Sequence, residues 1–360
     1  MKFPLKLKFL HTMFFLSVII LSFLTLNLLD LLYVKLASPA YHFSFPANIE
    51  FNFVNAQGIH KIKTNQLGLR GSLPKPEDCV DLILGDSQAF GIGLEEQSIF
   101  HNLISSTSGC EVYNASFPGY SIENELSLFR ILATNLKLRK VVLFIYGNDV
   151  YETGYNKLFE TYLQNNHLYL KFFRLIMPNV GISLAKLKFN QYLTDSIAYD
   201  IKKNEKRHLI PETKFIEDNS ILLSLYNMDS MYFQKSLDTR KTSKNQFQKY
   251  KRYLEILIEE IKNENIELDI IYLPLDIEHD ASRGEEYKQI GFILDKQWLE
   301  GDSAFVLDLY ELTSLQSLRF IDLRHAMRQS KRILKFGDFH LNEKAHTLIA
   351  EKLIEQKVFK

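Results

Sequence analysis

This chain of 360 residues has few cysteines and no excess of positive or negative charge. Its two cysteines, Cys79 and Cys110, are too few for a disulfide scaffold and wrongly spaced for a zinc cluster. Lys and Arg number 43, and Asp and Glu also number 43, so the formal net charge at pH 7 is +0. That balance does not favour a polyanionic partner, and we expect no nucleic acid to bind.

Metal-binding and cofactor-binding patterns are also lacking. His101, His167 and His279 have no partners at ligand spacing. His340 and His346 would not share a helix face as the two histidines of HExxH do. The glycines of GIGLEE are not followed by the lysine of a phosphate-binding P-loop, and the third glycine of the dinucleotide fingerprint GxGxxG is missing. We therefore expect neither a metal nor a cofactor.

The one long apolar run lies near the N-terminus, over Phe9–Leu32 (FLHTMFFLSVIILSFLTLNLLDLL). It exceeds the ~20 residues that a helix needs to cross a bilayer. We predict a cytoplasmic tail over 1–8 and a transmembrane anchor over 9–33, with the rest of the chain outside because lysines precede the run. A cleaved signal peptide is the alternative, although its apolar region is usually ~7–15 residues and no small-residue cleavage site follows closely here.

Beyond the anchor, apolar runs typical of buried strands alternate with segments of helical spacing. A linker and small β appendage are predicted over 34–75, where YHFSFPANIEFNFV alternates in part with period two. The strands predicted next are VDLILGD (80–86), EVYNAS (111–116), KVVLFIYG (140–147), LDIIYLPL (268–275) and SLRFIDL (317–323), before a final helix in LNEKAHTLIAEKL capped by Asn342. This alternation predicts an α/β fold with a three-layer, doubly wound, mostly parallel sheet of flavodoxin-like order, formed by 76–150 and 244–360.

Residues 151–243 interrupt the alternation and are longer than a crossover needs. They are polar and rich in aromatic residues, so we predict a helical insertion. It would serve either as a lid or acceptor-binding wall, or as an amphipathic helix pair that buries its apolar stripe on the main domain.

The stretch DLILGDSQAFGIG places Ser87 just past a buried strand and before a helix. Ligands of doubly wound sheets bind at this edge, beyond the carboxyl ends of the strands. A nucleophilic serine there needs a base, an orienting acid and donors for an oxyanion. The next two strands are followed by NASFPGYS with Gly119 and by YGNDVY with Asn148, and GDFHLN brings Asp338 and His340 just before the final helix.

These blocks, together with NQLGLRG ahead of the first strand, resemble the SGNH hydrolase superfamily, also called GDSL hydrolases. The resemblance runs from about Asn65 to the C-terminus, apart from the insertion. It implies a catalytic triad of Ser87, Asp338 and His340. It also implies an oxyanion hole formed by the backbone N–H groups of Ser87 and Gly119 and the side-chain amide of Asn148, while Asp86 and Asp149 brace their loops.

Two departures from the family pattern leave alternatives. The third block has Tyr146 where the first glycine of GxND is usual, and the last block has DxH spacing where DxxH is commonest. Asp322 and His325 have the common spacing, but Asp322 lies within a predicted strand, so we favour Asp338 and His340.

A second GDS triplet, Gly301–Ser303, follows a helix and precedes a strand. That order is the reverse of the one that exposes a nucleophile, so the triplet is not predicted to be catalytic.

The resemblance implies acyl transfer through an activated serine. An anchored domain outside the membrane would meet cell-envelope carbohydrate and lipid, so we expect an esterase that acts on small acyl groups such as O-acetyl. The alternatives are an O-acetyltransferase with the same triad and a catalytically silent protein that binds envelope glycan.

Cys79 and Cys110 each precede a predicted strand by one residue. In the flavodoxin-like order these strands are parallel neighbours ~4.8 Å apart, within the reach of a disulfide if the registers match. Either a disulfide or two buried thiols fits this placement.

Overall fold

The computed structural model describes residues 5–36, 43–55, 58–153, 176–177, 180–181, 184–185, 188, 230–289, 291–330, 333–334 and 340–360. The chain forms two compact units. Met1–Tyr41 and Asn156–Leu193 make up one, and His42–Tyr155 and Thr194–Lys360 make up the other. The domain boundaries given above stay a prediction.

The first unit contains helix α1, Leu5–Leu36. Its stretch His11–Asp30 has 20 residues and is long and apolar enough to cross a membrane, a property that signal sequences share. Asp30 is the one acid of the apolar run and is buried within this unit, where its carboxylate accepts a hydrogen bond of 2.8 Å from the backbone N–H of Val180. Sidedness stays a prediction, as does the helical insertion, most of which lies outside the described residues.

The second unit is built on a parallel sheet of five strands: β3 (Cys79–Leu84), β4 (Glu111–Asn114), β5 (Lys137–Tyr146), β6 (Glu267–Leu273) and β7 (Arg319–Asp322). Their order across the sheet is β4-β3-β5-β6-β7, and each adjacent pair is parallel. Numbered by appearance in this sheet, the order is 2-1-3-4-5, the flavodoxin-like order. The predicted fold class is confirmed, and the point where the strand order reverses lies between β3 and β5.

Helices cover both faces of this sheet. They are α2 (Ser87–Phe90), α3 (Phe100–Ile104), α4 (Ile122–Ala133), α5 (Asp149–Glu152), α6 (Tyr232–Leu237), α7 (Lys244–Asn263), α8 (Asp276–His279), α9 (Ala281–Gln289), α10 (Lys296–Glu300), α11 (Ala304–Leu315), α12 (Arg324–Arg328) and α13 (Glu343–Glu355). Short 3₁₀ turns lie at Glu96–Ser98 and Ser105–Thr107.

Two hydrophobic cores show the three layers. Leu82 of β3 belongs to a core shared with α4, α7 and α11, and its neighbour Ile83 belongs to a core shared with α3, α12 and α13. Successive side chains of a strand point to opposite faces, so the sheet is buried on both sides. This double burial explains why the central strands β3, β5 and β6 contain runs of mostly apolar residues.

A separate antiparallel hairpin precedes the sheet, with β1 over Glu50–Asn55 and β2 over Gly58–Lys63. The period-two segment therefore contains strand only in its second half. The partner strand, GIHKIK, was not predicted, because a short run with two lysines and a histidine carries little apolar signal.

A disulfide joins Cys79 to Cys110, with their Cα atoms 4.9 Å apart. Val80 pairs with Glu111 in the β3–β4 ladder. Cys79 and Cys110 each come one residue before this pair, so the two cysteines lie side by side. The register condition for the bond is thus met.

Candidate active site

The turn that carries the predicted nucleophile, Gly85–Ser87, follows β3 directly and is called the nucleophile turn. Asp86 caps α2, and its carboxylate accepts a hydrogen bond of 2.9 Å from the backbone N–H of Gln88. A Cβ on Gly85 would lie 2.9 Å from the Cβ of Ala89 and 3.1 Å from that of Phe144, so glycine alone fits where strand and helix cross. The turn therefore places Ser87 as the first residue of α2, half-buried at the carboxyl edge of the sheet.

His340 contacts this serine. Its Nε2 lies 3.0 Å from Ser87 Oγ, which is hydrogen-bonding distance for a nucleophile and its base. Asn342 then caps α13, where its side chain accepts a hydrogen bond of 3.1 Å from the N–H of Ala345, as predicted. Asp338 lies outside the described residues, so its role as the orienting acid stays a prediction.

Gly119 follows β4 at the same edge of the sheet. The backbone N–H of Phe117 donates to the carbonyl of Gly85 at 3.0 Å, which ties this block to the nucleophile turn. Gly119 is exposed and has φ +78°, a left-handed backbone conformation that residues other than glycine rarely adopt. The role of Gly119 as an oxyanion donor stays a prediction.

Asn148 follows β5, on the other side of the point where the strand order reverses. A Cβ on Gly147 would lie 2.6 Å from Leu275 Cγ, which explains the glycine before it. The Asp149 carboxylate accepts a hydrogen bond of 3.2 Å from the N–H of Tyr146, so Asp149 braces this loop as predicted. The side-chain amide of Asn148 donates to Glu152 Oε1 at 3.0 Å.

Four buried or half-buried carboxyl groups surround these loops: Asp86, Glu125, Asp149 and Glu152. Burial raises the pKa of Asp86 to about 6, and hydrogen bonding from Gln88 and the charge of His340 limit the rise. Burial raises the pKa of Glu152 to about 8, and the charge of Asp86 adds to it. Burial, with the charges of the other acids, raises the pKa values of Glu125 and Asp149 well above their ordinary values.

Gln88 is a site residue that the sequence motifs did not indicate. Its side chain is buried, and its Oε1 accepts a hydrogen bond of 3.0 Å from the backbone N–H of Leu341. This bond joins the residue after Ser87 to the residue after His340. A polar side chain at a position that should be buried was the available signal.

Arg70 supports the loop that follows α2. Its guanidinium donates to the carbonyls of Leu94 at 2.7 Å and Gly91 at 3.3 Å, and it pairs with Glu96. Burial raises the pKa of Glu96, but the hydrogen bond from His101 and the charge of Arg70 outweigh it and lower the pKa to about 2. The motif NQLGLRG thus contributes a buried arginine that holds the loop beyond the nucleophile.

The two alternative sites have other roles. Ser303 is fully buried as the cap of α11, where its Oγ accepts a hydrogen bond of 3.4 Å from the N–H of Val306. The second GDS triplet thus precedes a helix, and the prediction of a strand after it was wrong. Asp322 ends β7 and is paired with Arg324 at 2.6 Å, and His325 contacts Gln329 at 2.9 Å. Neither alternative supplies an exposed serine next to a histidine.

Among the described residues, no group of three or more His, Cys, Asp and Glu side chains could hold a metal ion.

No protein-family model and no curated protein matches this chain. Solved structures that match include esterase EstA from Pseudoalteromonas sp., with 12% identity, TM-score 0.39, and 79% of this chain and 100% of that one covered. A GDSL-like lipase from Bacteroides thetaiotaomicron matches with 10% identity, TM-score 0.38, and coverage of 79% and 91%. The acetylxylan esterase Axe2 from Geobacillus stearothermophilus, solved as a catalytic mutant, matches with 12% identity, TM-score 0.37, and coverage of 80% and 97%.

All three TM-scores lie below 0.5, so these similarities carry no argument about the function of this chain. The chemistry has to be inferred from the residues of this chain.

Proposed function

We propose that the protein is an extracytoplasmic serine ester hydrolase of SGNH type that removes small acyl groups, O-acetyl in particular, from cell-envelope carbohydrate or lipid. The observation that carries the proposal is the 3.0 Å contact between His340 Nε2 and Ser87 Oγ. It brings together two residues 253 positions apart, at the sheet edge where doubly wound folds bind ligands.

In the proposed reaction Ser87 Oγ attacks the ester carbonyl while its proton passes to His340 Nε2. Asp338 would hold the imidazole in the required tautomer and stabilise the imidazolium. Collapse of the tetrahedral intermediate breaks the bond to the alcohol oxygen, which takes the proton from His340. Water then attacks the acyl group on Ser87 with the same proton transfers, releasing the acid.

The negative charge that develops on the carbonyl oxygen needs donors already in place. The backbone N–H groups of Ser87 and Gly119 and one N–H of the Asn148 amide are the proposed donors. They come from the loops after β3, β4 and β5, which are adjacent in the sheet.

Two features support the proposed location. The apolar helix over His11–Asp30 is long enough to anchor the chain, and the lysines before it favour a cytoplasmic N-terminus. The disulfide between Cys79 and Cys110 supports an extracytoplasmic domain, because such bonds persist in oxidising compartments.

Hydrolysis of 4-nitrophenyl acetate by the full-length protein in detergent tests the proposal. Ser87→Ala should reduce the rate by at least ~10³-fold, since loss of a triad serine removes the covalent route. Ser303→Ala is the matched control, because Ser303 ends the second GDS triplet but is buried as the cap of a helix. Equal rates for wild type and Ser87→Ala would overturn the proposal and favour a glycan-binding role.

Repeating the assay with a carbohydrate acceptor separates the esterase from its alternative. Acetate release that the acceptor does not change supports hydrolysis. Ser87-dependent transfer of the acetyl group to a sugar hydroxyl would instead establish an O-acetyltransferase.

A further inference from the structure

Asn148 and Glu152 lie one helical turn apart and are joined twice. The backbone N–H of Glu152 donates to the carbonyl of Asn148 at 3.0 Å, and the side-chain amide of Asn148 donates to Glu152 Oε1, also at 3.0 Å. The side-chain bond closes over the first turn of α5, at the residue proposed to bind the oxyanion.

We propose that Glu152 is a positioning residue for the oxyanion hole. Its carboxylate holds the Asn148 amide so that the amide nitrogen faces the reacting carbonyl. This inference rests on the proposed function. Nδ2 carries two N–H groups, so one can donate to Glu152 while the other remains for the substrate oxygen.

The amide of Asn148 has little else to fix its orientation. Within the described part of the chain its Oδ1 is buried and has no hydrogen-bond partner. Turning the amide over would bring that oxygen to the oxyanion and remove the donor. The acceptor on Glu152 therefore distinguishes the productive orientation from the unproductive one.

The side chain of Glu152 is not needed to form helix α5. The N–H of Thr153 donates to the carbonyl of Asp149 at 2.9 Å, and the hydroxyl of Thr153 donates to the same carbonyl at 2.7 Å. A truncated side chain at position 152 should thus leave α5 folded, which separates positioning from folding.

The test compares kcat and KM for 4-nitrophenyl acetate in Glu152→Ala, Glu152→Gln, Asn148→Ala and the double variant Glu152→Ala/Asn148→Ala. Glu152→Ala should lower kcat about tenfold with KM unchanged, because the donor acts in the transition state. Glu152→Gln keeps an acceptor oxygen and should restore most of the rate. Asn148→Ala should lower kcat by roughly 10² to 10³, with no further loss in the double variant.

Glu125→Gln is the matched control, because Glu125 is a buried acid of the same cluster whose carboxylate oxygens make no hydrogen bond within the described part of the chain. It should keep the wild-type kcat. Losses for Glu152→Ala and Asn148→Ala that multiply in the double variant would overturn the inference, as would a loss confined to KM.

A second readout does not depend on turnover. In full-length protein labelled with ¹⁵N-asparagine, the Asn148 side-chain signals, assigned by their absence in Asn148→Ala, should shift in Glu152→Ala and not in Glu125→Gln. Unchanged signals would overturn the inference. Ser87-independent hydrolysis would instead overturn the proposed function, so the two failures are distinguishable.

Discussion

The buried amide of Gln88 accepts a hydrogen bond of 3.0 Å from the backbone N–H of Leu341, and so connects the nucleophile turn to the histidine segment. Ser87 and His340 are the preceding residues on the two sides. The bond from Leu341 to Gln88 therefore contributes to fixing the distance between Ser87 and His340.

We expect Gln88→Ala to lower kcat by roughly 10- to 100-fold with little change in KM, because a displacement of about 1 Å in a catalytic group has effects of this size. Steady-state kinetics with 4-nitrophenyl acetate measures it. Gln97→Ala is the control, because Gln97 is an exposed glutamine nine residues after Gln88. A Gln88→Ala enzyme with wild-type kcat would show that the His340 segment is held by other contacts.

We expect Arg70→Lys to lower the free energy of unfolding by ~2 kcal/mol. Because each kcal/mol corresponds to ~2–4 °C, the melting temperature should fall by about 5 °C. Lysine cannot donate to Leu94, Gly91 and Glu96 together as the guanidinium fork does. A melting curve of the full-length protein in detergent checks this. An unchanged melting temperature would mean that the loop after α2 does not depend on Arg70.

The fold and part of the site could be predicted because their signals are local. The central strands β3, β5 and β6 contain runs of mostly apolar residues, and Ser87 stands beside the strand that positions it. The partners of Gln88 and Arg70 could not be predicted, since sequence does not indicate which distant backbone group a buried polar side chain will meet. The extra residues Lys137–Arg139 at the start of β5 were missed because charged residues there mask the strand.

Stability should fall as the pH rises from about 5 to 9. Burial raises the pKa values of Asp86 to about 6 and of Glu152 to about 8, and that of Glu125 well above its ordinary value. The folded state then holds protons that the unfolded chain releases above a pKa of about 4, so each group stabilises at low pH and loses that contribution as pH rises through its folded pKa.

Glu125→Gln tests this directly, because glutamine cannot ionise. We expect its melting temperature to fall less steeply with pH than that of the wild type. Parallel melting curves for the two proteins between pH 5 and 9 would contradict a raised pKa for Glu125.

The disulfide between Cys79 and Cys110 closes a loop with a sequence separation of 31. A disulfide across a loop of this length stabilises the folded state by roughly 3.5 kcal/mol. We expect reduction to lower the melting temperature and non-reducing peptide mass spectrometry to find the linked pair. Two free thiols in protein taken from the native membrane would argue against an exported domain.

The contact between Ser87 and His340 is tested most directly by mass spectrometry after treatment with a fluorophosphonate. The account predicts a single adduct on Ser87, formed much more slowly in His340→Ala and at the wild-type rate in His325→Ala. An adduct on another residue, or equal rates in the two histidine variants, would contradict it.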